Sequence, residues 1–270
     1  MGYTSTLILA YEGDPAAVNI YDKLLEHLKP ATNEIGSNLE GSVTLRLIDH
    51  DPALTNLRPR IRDIDRFKAV IIVSRHESRS GMRTLTVHAP GNLGEALLGG
   101  EPRKLAVADA QRMKTALMEL KVAVAELNLD YEVTLEATHH GPTDLHKPVF
   151  FVEIGSSESQ WTDEKAVEAA ARAALRAATH PTPSQAAVGF GGGHYPEKHT
   201  KISLETDVAV GHVLPKYFFS SFDVEVVEQA FQKTYGSCQL AVVDRKGIKS
   251  NHKRTLLNLL RDRGIRVMEV

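Results

Sequence analysis

Short runs of β-branched residues alternate with longer segments of helical periodicity along almost the whole chain, and this alternation leaves few folds open. The short runs predict strands at residues 6–10, 43–48, 69–73, 85–87, 131–137, 149–154, 186–190, 208–213 and 240–243. Apolar residues at helical spacing predict helices at residues 15–28, 104–127, 162–178, 224–235 and 250–263. Strands that alternate with helices predict an α/β fold with a mostly parallel or mixed sheet and helices on both faces.

The chain has no convincing linker between its predicted elements. Its 270 residues are enough for one large α/β domain or two small ones. Residues 33–41 and 58–67 have the composition of surface loops and not of a domain boundary. We therefore expect a single α/β domain over residues 1–270.

Composition and charge exclude several classes of protein. The net charge of −2 excludes a protein that coats nucleic acid, although a local basic patch stays possible. Cys238 is the single cysteine, so no intrachain disulfide can form and a reducing cytoplasm is expected. The first residues lack the basic segment of a signal peptide, and no run approaches the roughly 20 apolar residues of a membrane span. We expect a cytoplasmic protein without membrane contact.

Histidine and small residues follow five of the predicted strands, at residues 74–78, 88–92, 138–142, 155–159 and 191–196. Ligands of open α/β sheets bind beyond the carboxyl ends of strands, so these segments predict one site. The candidate catalytic residues are His139, His140, His194 and Glu153. The candidate substrate-binding residues are Ser74, Arg75, His76, His88, Gly155, Ser156, Gly191, Gly192 and Gly193.

Structural interpretations of the same residues stay open. His76 or His88 alone is as compatible with a buried structural histidine as with a ligand. Adjacent residues on a strand point to opposite faces, so His139 and His140 share a pocket only if the strand has already ended. The glycines at 191–193 are either a flexible turn or a source of N–H donors for a phosphate or oxyanion. Residues 155–159 either bind phosphate or cap the next helix.

No established zinc spacing and no conventional nucleophile motif occur in the chain. A metal site would have to combine distant segments, for example His139 or His140 with His194, His199 and Glu153; the set His139, His194 and His199 is the predicted one. Cys238 has no histidine near it in sequence, and the serines at 156, 157 and 159 lack a Gly-x-Ser-x-Gly context. Direct attack by water is therefore predicted.

Three separated segments carry a resemblance to a known family: THHGP at residues 138–142, FFVEIGS at 150–156 and VGFGGGHY at 188–195. They resemble the signature blocks of the archaeal and plant-type D-aminoacyl-tRNA deacylases. SRH at residues 74–76 and TVHAPGN at 86–92 fit the N-terminal half of the same family.

The resemblance implies a monomeric, zinc-dependent hydrolase that acts on aminoacyl-tRNA charged with a D-amino acid. It also implies a fold similar to that of the phosphorylases and peptidyl-tRNA hydrolases. The enzyme alternatives are a peptidyl-tRNA hydrolase or a nucleoside phosphorylase-like enzyme. The non-enzyme alternative is an RNA-binding module, which the aromatic content of 6% disfavours because too few rings are available for base stacking.

Overall fold

The computed structural model describes residues 5–28 and 42–270. The loop predicted at residues 33–41 lies outside this part of the chain. The described strands are β1 (Ser5–Tyr11), β2 (Ser42–Ile48), β3 (Ala69–Glu77), β4 (Thr84–His88), β5 (Glu132–Leu135), β6 (Val149–Ser156), β7 (Gln185–Phe190), β8 (Val208–Leu214), β9 (Leu240–Val243) and β10 (Arg266–Glu269). The described helices are α1 (Pro15–His27), α2 (Ala110–Glu126), α3 (Glu158–Trp161), α4 (Glu164–Thr179), α5 (Glu197–Glu205), α6 (Val224–Gln232) and α7 (Ser250–Asp262), with 3-10 turns at Ile64–Arg66 and Lys216–Ser221.

The strands form two sheets, one mixed and one parallel. The larger has the order β2-β1-β3-β6-β4-β5, and β4 runs antiparallel to β6 and parallel to β5. The smaller has the order β10-β9-β7-β8 with parallel pairs throughout. The predicted α/β class with a mostly parallel or mixed sheet is confirmed.

The helix predicted from residue 104 begins later, at Ala110. Asp109 precedes it in a non-helical conformation and accepts a hydrogen bond from the Arg112 backbone N–H at 3.1 Å, so it acts as the N-cap.

The sequence patterns missed α5 and β10. The buried face of α5 carries His199, Thr200 and Ser203 and therefore has no apolar stripe. Strand β10 is largely exposed and has no buried apolar face.

One hydrophobic core extends from the larger sheet to the smaller one. It joins Ile8 and Val73 of the larger sheet with Val210 and Val242 of the smaller sheet and with the alanine-rich face of α4. Backbone hydrogen bonds also connect the two sheets, from Ala137 N–H to the His194 carbonyl at 2.8 Å and from Thr138 N–H to the Val213 carbonyl at 2.9 Å. These contacts fix the segments that follow β5 and β7 against each other. Within the described ranges, no helix has the length and apolar character that a bilayer crossing requires.

Candidate active site

Polar side chains occupy one face of the larger sheet because the strand register places them side by side. Ser74 on β3 and Thr86 on β4 both pair with Glu153 on β6. In the same way Gly155 pairs with His76, and Phe151 pairs with His88. Paired residues of neighbouring strands point to the same face, so these side chains project together.

Segments after β5 and β7 complete a group of seven residues, which we call the histidine–glutamate cluster. Its members are His76, His88, Glu136, His139, His140, Glu153 and His194. The predicted site at a single end of the sheet was wrong for one pair of strands. Because β4 runs antiparallel to β6, the carboxyl ends of β3 and β4 lie at opposite ends of the sheet. The cluster lies over the sheet face, where side chains from both directions meet.

His139 and His140 both enter the cluster. Strand β5 ends at Leu135, and His140 adopts a positive φ of 45°, so the two rings are no longer held on opposite faces. Their ring centroids lie 4.4 Å apart. Nδ1 of His139 lies 2.7 Å from the Ala137 carbonyl oxygen, and Nδ1 of His140 lies 2.6 Å from that of Gly141. A carbonyl only accepts, so each Nδ1 carries the proton. The Nε2 lone pair of His139 faces Glu136, whereas that of His140 lies 3.2 Å from His88 Nε2.

Glu136 is the member of the cluster that the sequence reasoning missed. It is 1% exposed, and neither carboxylate oxygen has a hydrogen bond of good geometry from a described residue. Four imidazole nitrogens surround it, at 3.2 Å (His76 Nδ1), 3.3 Å (His194 Nε2), 3.6 Å (His139 Nε2) and 3.8 Å (His88 Nδ1). The available signal was a second glutamate in the strand predicted at residues 131–137, three positions before His139.

The members of the cluster differ in whether they are charged at neutral pH. Burial opposes ionisation of Glu136, but the surrounding imidazoles, His194 foremost, lower its pKa to about 2. Burial raises the pKa of Glu153 to about 7, and the Glu136 charge adds to the effect. Burial would lower the pKa of His76, yet contact with Glu153 and Glu136 raises it to about 9.

The other buried imidazoles are neutral at physiological pH. Burial lowers the pKa of His139 to about 3, and it also lowers the pKa values of His88 and His140. Neutral imidazole is the form that binds metal ions.

The donor set of the cluster fits a divalent metal ion. The lone pair on His139 Nε2 lies 3.6 Å from the ionised Glu136 carboxylate, so two acceptors face each other with no donor between them. Imidazole nitrogen and carboxylate oxygen are ligands that zinc takes in proteins. Three groups with ligand atoms within 4.8 Å of one another occur among the described residues: His88–His139–His140, His76–Glu136–His194 and His88–Glu136–Glu153.

His199 does not join any of these groups. Its ring is buried on α5 against Gly189, and its Nε2 lies 3.2 Å from the Val242 carbonyl oxygen. The predicted metal set of His139, His194 and His199 is therefore not brought together by the fold, although the first two of these residues are members of the cluster.

The predicted substrate-binding residues of β3 and β6 have mainly supporting contacts. Ser74 Oγ donates to Glu153 at 2.7 Å, and Arg75 stacks on the Trp161 ring at 5.3 Å. Ser156 Oγ donates to the Met82 carbonyl at 2.8 Å. At Gly155 a Cβ atom would lie 2.7 Å from the His76 ring, so this glycine leaves the space that the ring occupies.

The helix that begins within residues 155–159 is only one turn long, and its N-cap residue Ser157 makes no side-chain cap hydrogen bond. The next helix, α4, is capped by Asp163 through the backbone N–H of Lys165 at 3.0 Å, so neither interpretation of this segment finds support in the geometry.

The glycine segment at 191–193 leads from β7 into His194. Gly191 and Gly192 have φ values of 93° and 79°, which residues with a side chain rarely adopt. The N–H of Gly191 donates to the Leu214 carbonyl at 2.8 Å, and the carbonyl of Gly192 accepts from Lys216 at 2.9 Å. Of the three predicted oxyanion donors, Gly191 is thus already engaged, which leaves the N–H groups of Gly192 and Gly193 as candidates.

Together, the fold and the cluster define an α/β protein whose buried imidazole and carboxylate groups can hold a metal ion beside a half-exposed histidine, His194. The sequence model of the family described as D-aminoacyl-tRNA deacylase matches residues 64–268. This chain belongs to the D-aminoacyl-tRNA deacylase family.

Several relatives with the same family name are similar to this chain, and they match different shares of its length. A D-aminoacyl-tRNA deacylase of Methanosarcina mazei is 43% identical over 201 residues, which cover 74% of this chain and 66% of that protein. The chain therefore matches just under two thirds of that relative's length. The D-aminoacyl-tRNA deacylase of Methanosarcina barkeri is 36% identical over 97% of this chain and 88% of its own. That of Pyrococcus abyssi is 35% identical over 96% and 97%.

A solved structure has the same fold over the whole chain. It is the crystal structure of a conserved protein of unknown function, with a TM-score of 0.89 and 28% identity, and the match covers 100% of this chain and 96% of that one.

Proposed function

We propose that this protein hydrolyses the ester bond of D-aminoacyl-tRNA and releases the free D-amino acid and tRNA. The observation that carries the proposal is the buried Glu136 carboxylate, which four imidazole nitrogens surround at 3.2 to 3.8 Å. Perturbed ionisable groups gathered in this way are typical of catalytic centres. The substrate comes from the names of the family and of its relatives.

Zinc fits the cluster best at His76, Glu136 and His194, where it would displace the proton that Glu153 and Glu136 hold on His76. Two imidazoles and one carboxylate are a ligand set found in catalytic zinc sites, which keep an open position. His194 is 36% exposed, so this group reaches the surface, whereas His88 in the other two groups is fully buried. A zinc ion bound there would polarise the ester carbonyl and lower the pKa of a bound water.

The residues beside this group have separate tasks in the proposal. His139, with its Nε2 lone pair turned to Glu136, would accept the proton of the attacking water because the ionised Glu136 beside it stabilises the imidazolium that forms. The His140 ring packs against it, with the two ring centroids 4.4 Å apart. Glu153, which Ser74 holds at 2.7 Å, orients His76. The N–H group of Gly193, next to His194, is the candidate donor for the oxyanion of the tetrahedral intermediate, because the Gly192 nitrogen packs against Gly247.

The same proposal includes a monomeric protein in the cytoplasm, where aminoacyl-tRNAs are used. It also includes direct attack by water without an acyl-enzyme intermediate.

The test compares D-Tyr-tRNA with L-Tyr-tRNA as substrates of the purified protein. We expect release of D-tyrosine, no release of L-tyrosine above the uncatalysed rate, and loss of the activity on chelation with recovery on addition of zinc. Equal hydrolysis of both esters would contradict a role in selecting D-amino acids. Cleavage of N-acetylated L-aminoacyl-tRNA instead would favour the peptidyl-tRNA hydrolase alternative.

A further inference from the structure

A basic pocket lies on the surface beside the glycine segment. It has a volume of about 380 Å³ and is lined by Lys198, Arg245, Lys246, Lys253 and Val270. Four of these five residues carry a positive side chain. We call this feature the basic pocket.

The basic pocket is close to the histidine–glutamate cluster in the fold. The loop after β9 packs on the glycine segment: a Cβ atom at Gly191 would lie 3.1 Å from Asp244 Cβ, and one at Gly247 would collide with the Gly192 nitrogen. Lys198 follows His194 by four residues, in the first turn of α5. A ligand in the pocket therefore lies next to the segment that leads into the cluster.

The positive charge of this region contrasts with the rest of the chain. Residues 244–254 contain five Lys or Arg and one Asp, a net charge of +4, so the other residues together carry −6 of the total of −2. Lys198 is neutralised by Asp244 at 2.7 Å and Arg245 by Glu269 at 3.1 Å. Lys246 and Lys253 form no ion pair with an acidic side chain in the described ranges, so two positive charges are available to a ligand.

An exposed aromatic ring lies on the other side of the glycine segment. Tyr217 is 50% exposed in the 3-10 turn whose first residue, Lys216, donates to the Gly192 carbonyl at 2.9 Å. An exposed ring beside a positive groove is the combination that binds single-stranded nucleic acid, since bases stack on the ring and phosphates meet the lysines.

We propose that the basic pocket and Tyr217 bind the single-stranded 3′ end of an RNA substrate across the glycine segment. Lys246 and Lys253 contact backbone phosphates, and Tyr217 stacks with a base near the ester. This inference rests on the proposed function for the identity of the RNA, and it adds the direction from which the RNA enters the site.

The test uses the full chain with the double substitution Lys246→Ala and Lys253→Ala. Two substrates are compared: D-Tyr-tRNA, and the D-tyrosyl ester of adenosine, which has no phosphate. We expect kcat/KM for D-Tyr-tRNA to fall about tenfold through KM, with the adenosine ester unaffected. The slope of log kcat/KM against log salt should become shallower by about 1.4, because two phosphate contacts to a single strand are lost. The matched control, Lys23→Ala with Lys121→Ala on α1 and α2, removes the same charge elsewhere and should leave both values unchanged.

Binding of uncharged tRNA, followed by fluorescence anisotropy, separates this inference from the proposed function. Weaker binding by the lysine variant and by Tyr217→Ala, but not by Tyr217→Phe, supports the RNA surface even if the wild-type protein hydrolyses neither ester. In that case the proposed hydrolysis is contradicted, and the RNA-binding inference is still supported. Unchanged binding and unchanged KM in the lysine variant overturn the inference, whatever the activity.

Discussion

At the scale of single residues, the chemistry depends on which groups are kept charged and which neutral. Glu136 is ionised among imidazoles, whereas His139 and His140 are neutral because burial disfavours the imidazolium. Their Nδ1 protons are directed to backbone carbonyls, so the Nε2 lone pair of His139 is available, while that of His140 faces His88 Nε2 at 3.2 Å. Cys238, by contrast, lies 7% exposed at the other sheet, with its thiol directed at the Ala186 carbonyl at 3.4 Å.

The thiol of Cys238 is predicted to be inert. Burial raises its pKa to about 11, so the thiolate is scarce at neutral pH and cannot act as nucleophile. Cys238→Ala should leave kcat for D-Tyr-tRNA within about twofold, and a thiol reagent should label the native protein far more slowly than the unfolded one. Rapid labelling at pH 7, or loss of hydrolysis in a folded variant, would contradict this assignment.

The residues of the site could be predicted from the sequence better than their contacts. His76, His88, His139, His140, Glu153 and His194 were all candidates, because histidines after strands are conspicuous in the sequence. Glu136 was missed since a single carboxylate in a strand has no motif, and its importance comes from imidazoles that are distant in sequence. His199 was included wrongly in the cluster because α5, which turns its ring toward Gly189, was not predicted.

At the scale of elements, strand direction decides where the site forms. The predicted strands agree with the structure to within a few residues, but periodicity cannot show that β4 runs antiparallel to β6. Because of that reversal, His88 at the end of β4 lies over the same sheet face as His76, on the other side of β6. The helix predicted from residue 104 was too long because Asp109 caps it, and only the local backbone conformation reveals this.

The packing of β6 against His76 is predicted to be essential for activity. In Gly155→Ala the new Cβ atom would meet three atoms of the His76 side chain at 2.7 to 3.0 Å and displace the ring. We expect kcat to fall by about a hundredfold, the effect of a misplacement near 1 Å, while the protein remains folded. Gly94→Ala is the matched control, because nothing lies within 4 Å of its Cβ position. Equal kcat in the two variants would show that the His76 position does not matter.

At the scale of the whole molecule, the two sheets share one core. Val210 and Val242 of the smaller sheet pack in the same cluster as Ile8 and Val73 of the larger sheet. The segments that carry His139 and His194 are joined by the hydrogen bond from Ala137 to the His194 carbonyl. We propose on these grounds that the chain is a single α/β domain and that the site depends on both sheets.

A single domain should unfold in one cooperative transition. Trp161, the only tryptophan, donates to the His76 carbonyl at 3.0 Å, so its fluorescence reports on the larger sheet. Fluorescence and far-UV circular dichroism should give the same denaturant midpoint, and Val242→Ala in the smaller sheet should lower both midpoints equally. Two separate transitions, or a fluorescence midpoint that Val242→Ala leaves unchanged, would indicate two domains.

The measurement that addresses the central proposal most directly is kcat for D-Tyr-tRNA in Glu136→Gln. The amide keeps the size of the side chain but removes the charge that the imidazoles surround, so proton transfer and metal binding should both suffer. We expect kcat to fall by at least about a hundredfold, zinc content to decrease, and the unfolding midpoint to show that the variant is folded. Glu132→Gln, an exposed position at the start of β5, the strand that ends just before Glu136, should behave as wild type. A folded Glu136→Gln protein with wild-type kcat would contradict the assignment of the histidine–glutamate cluster as the active site.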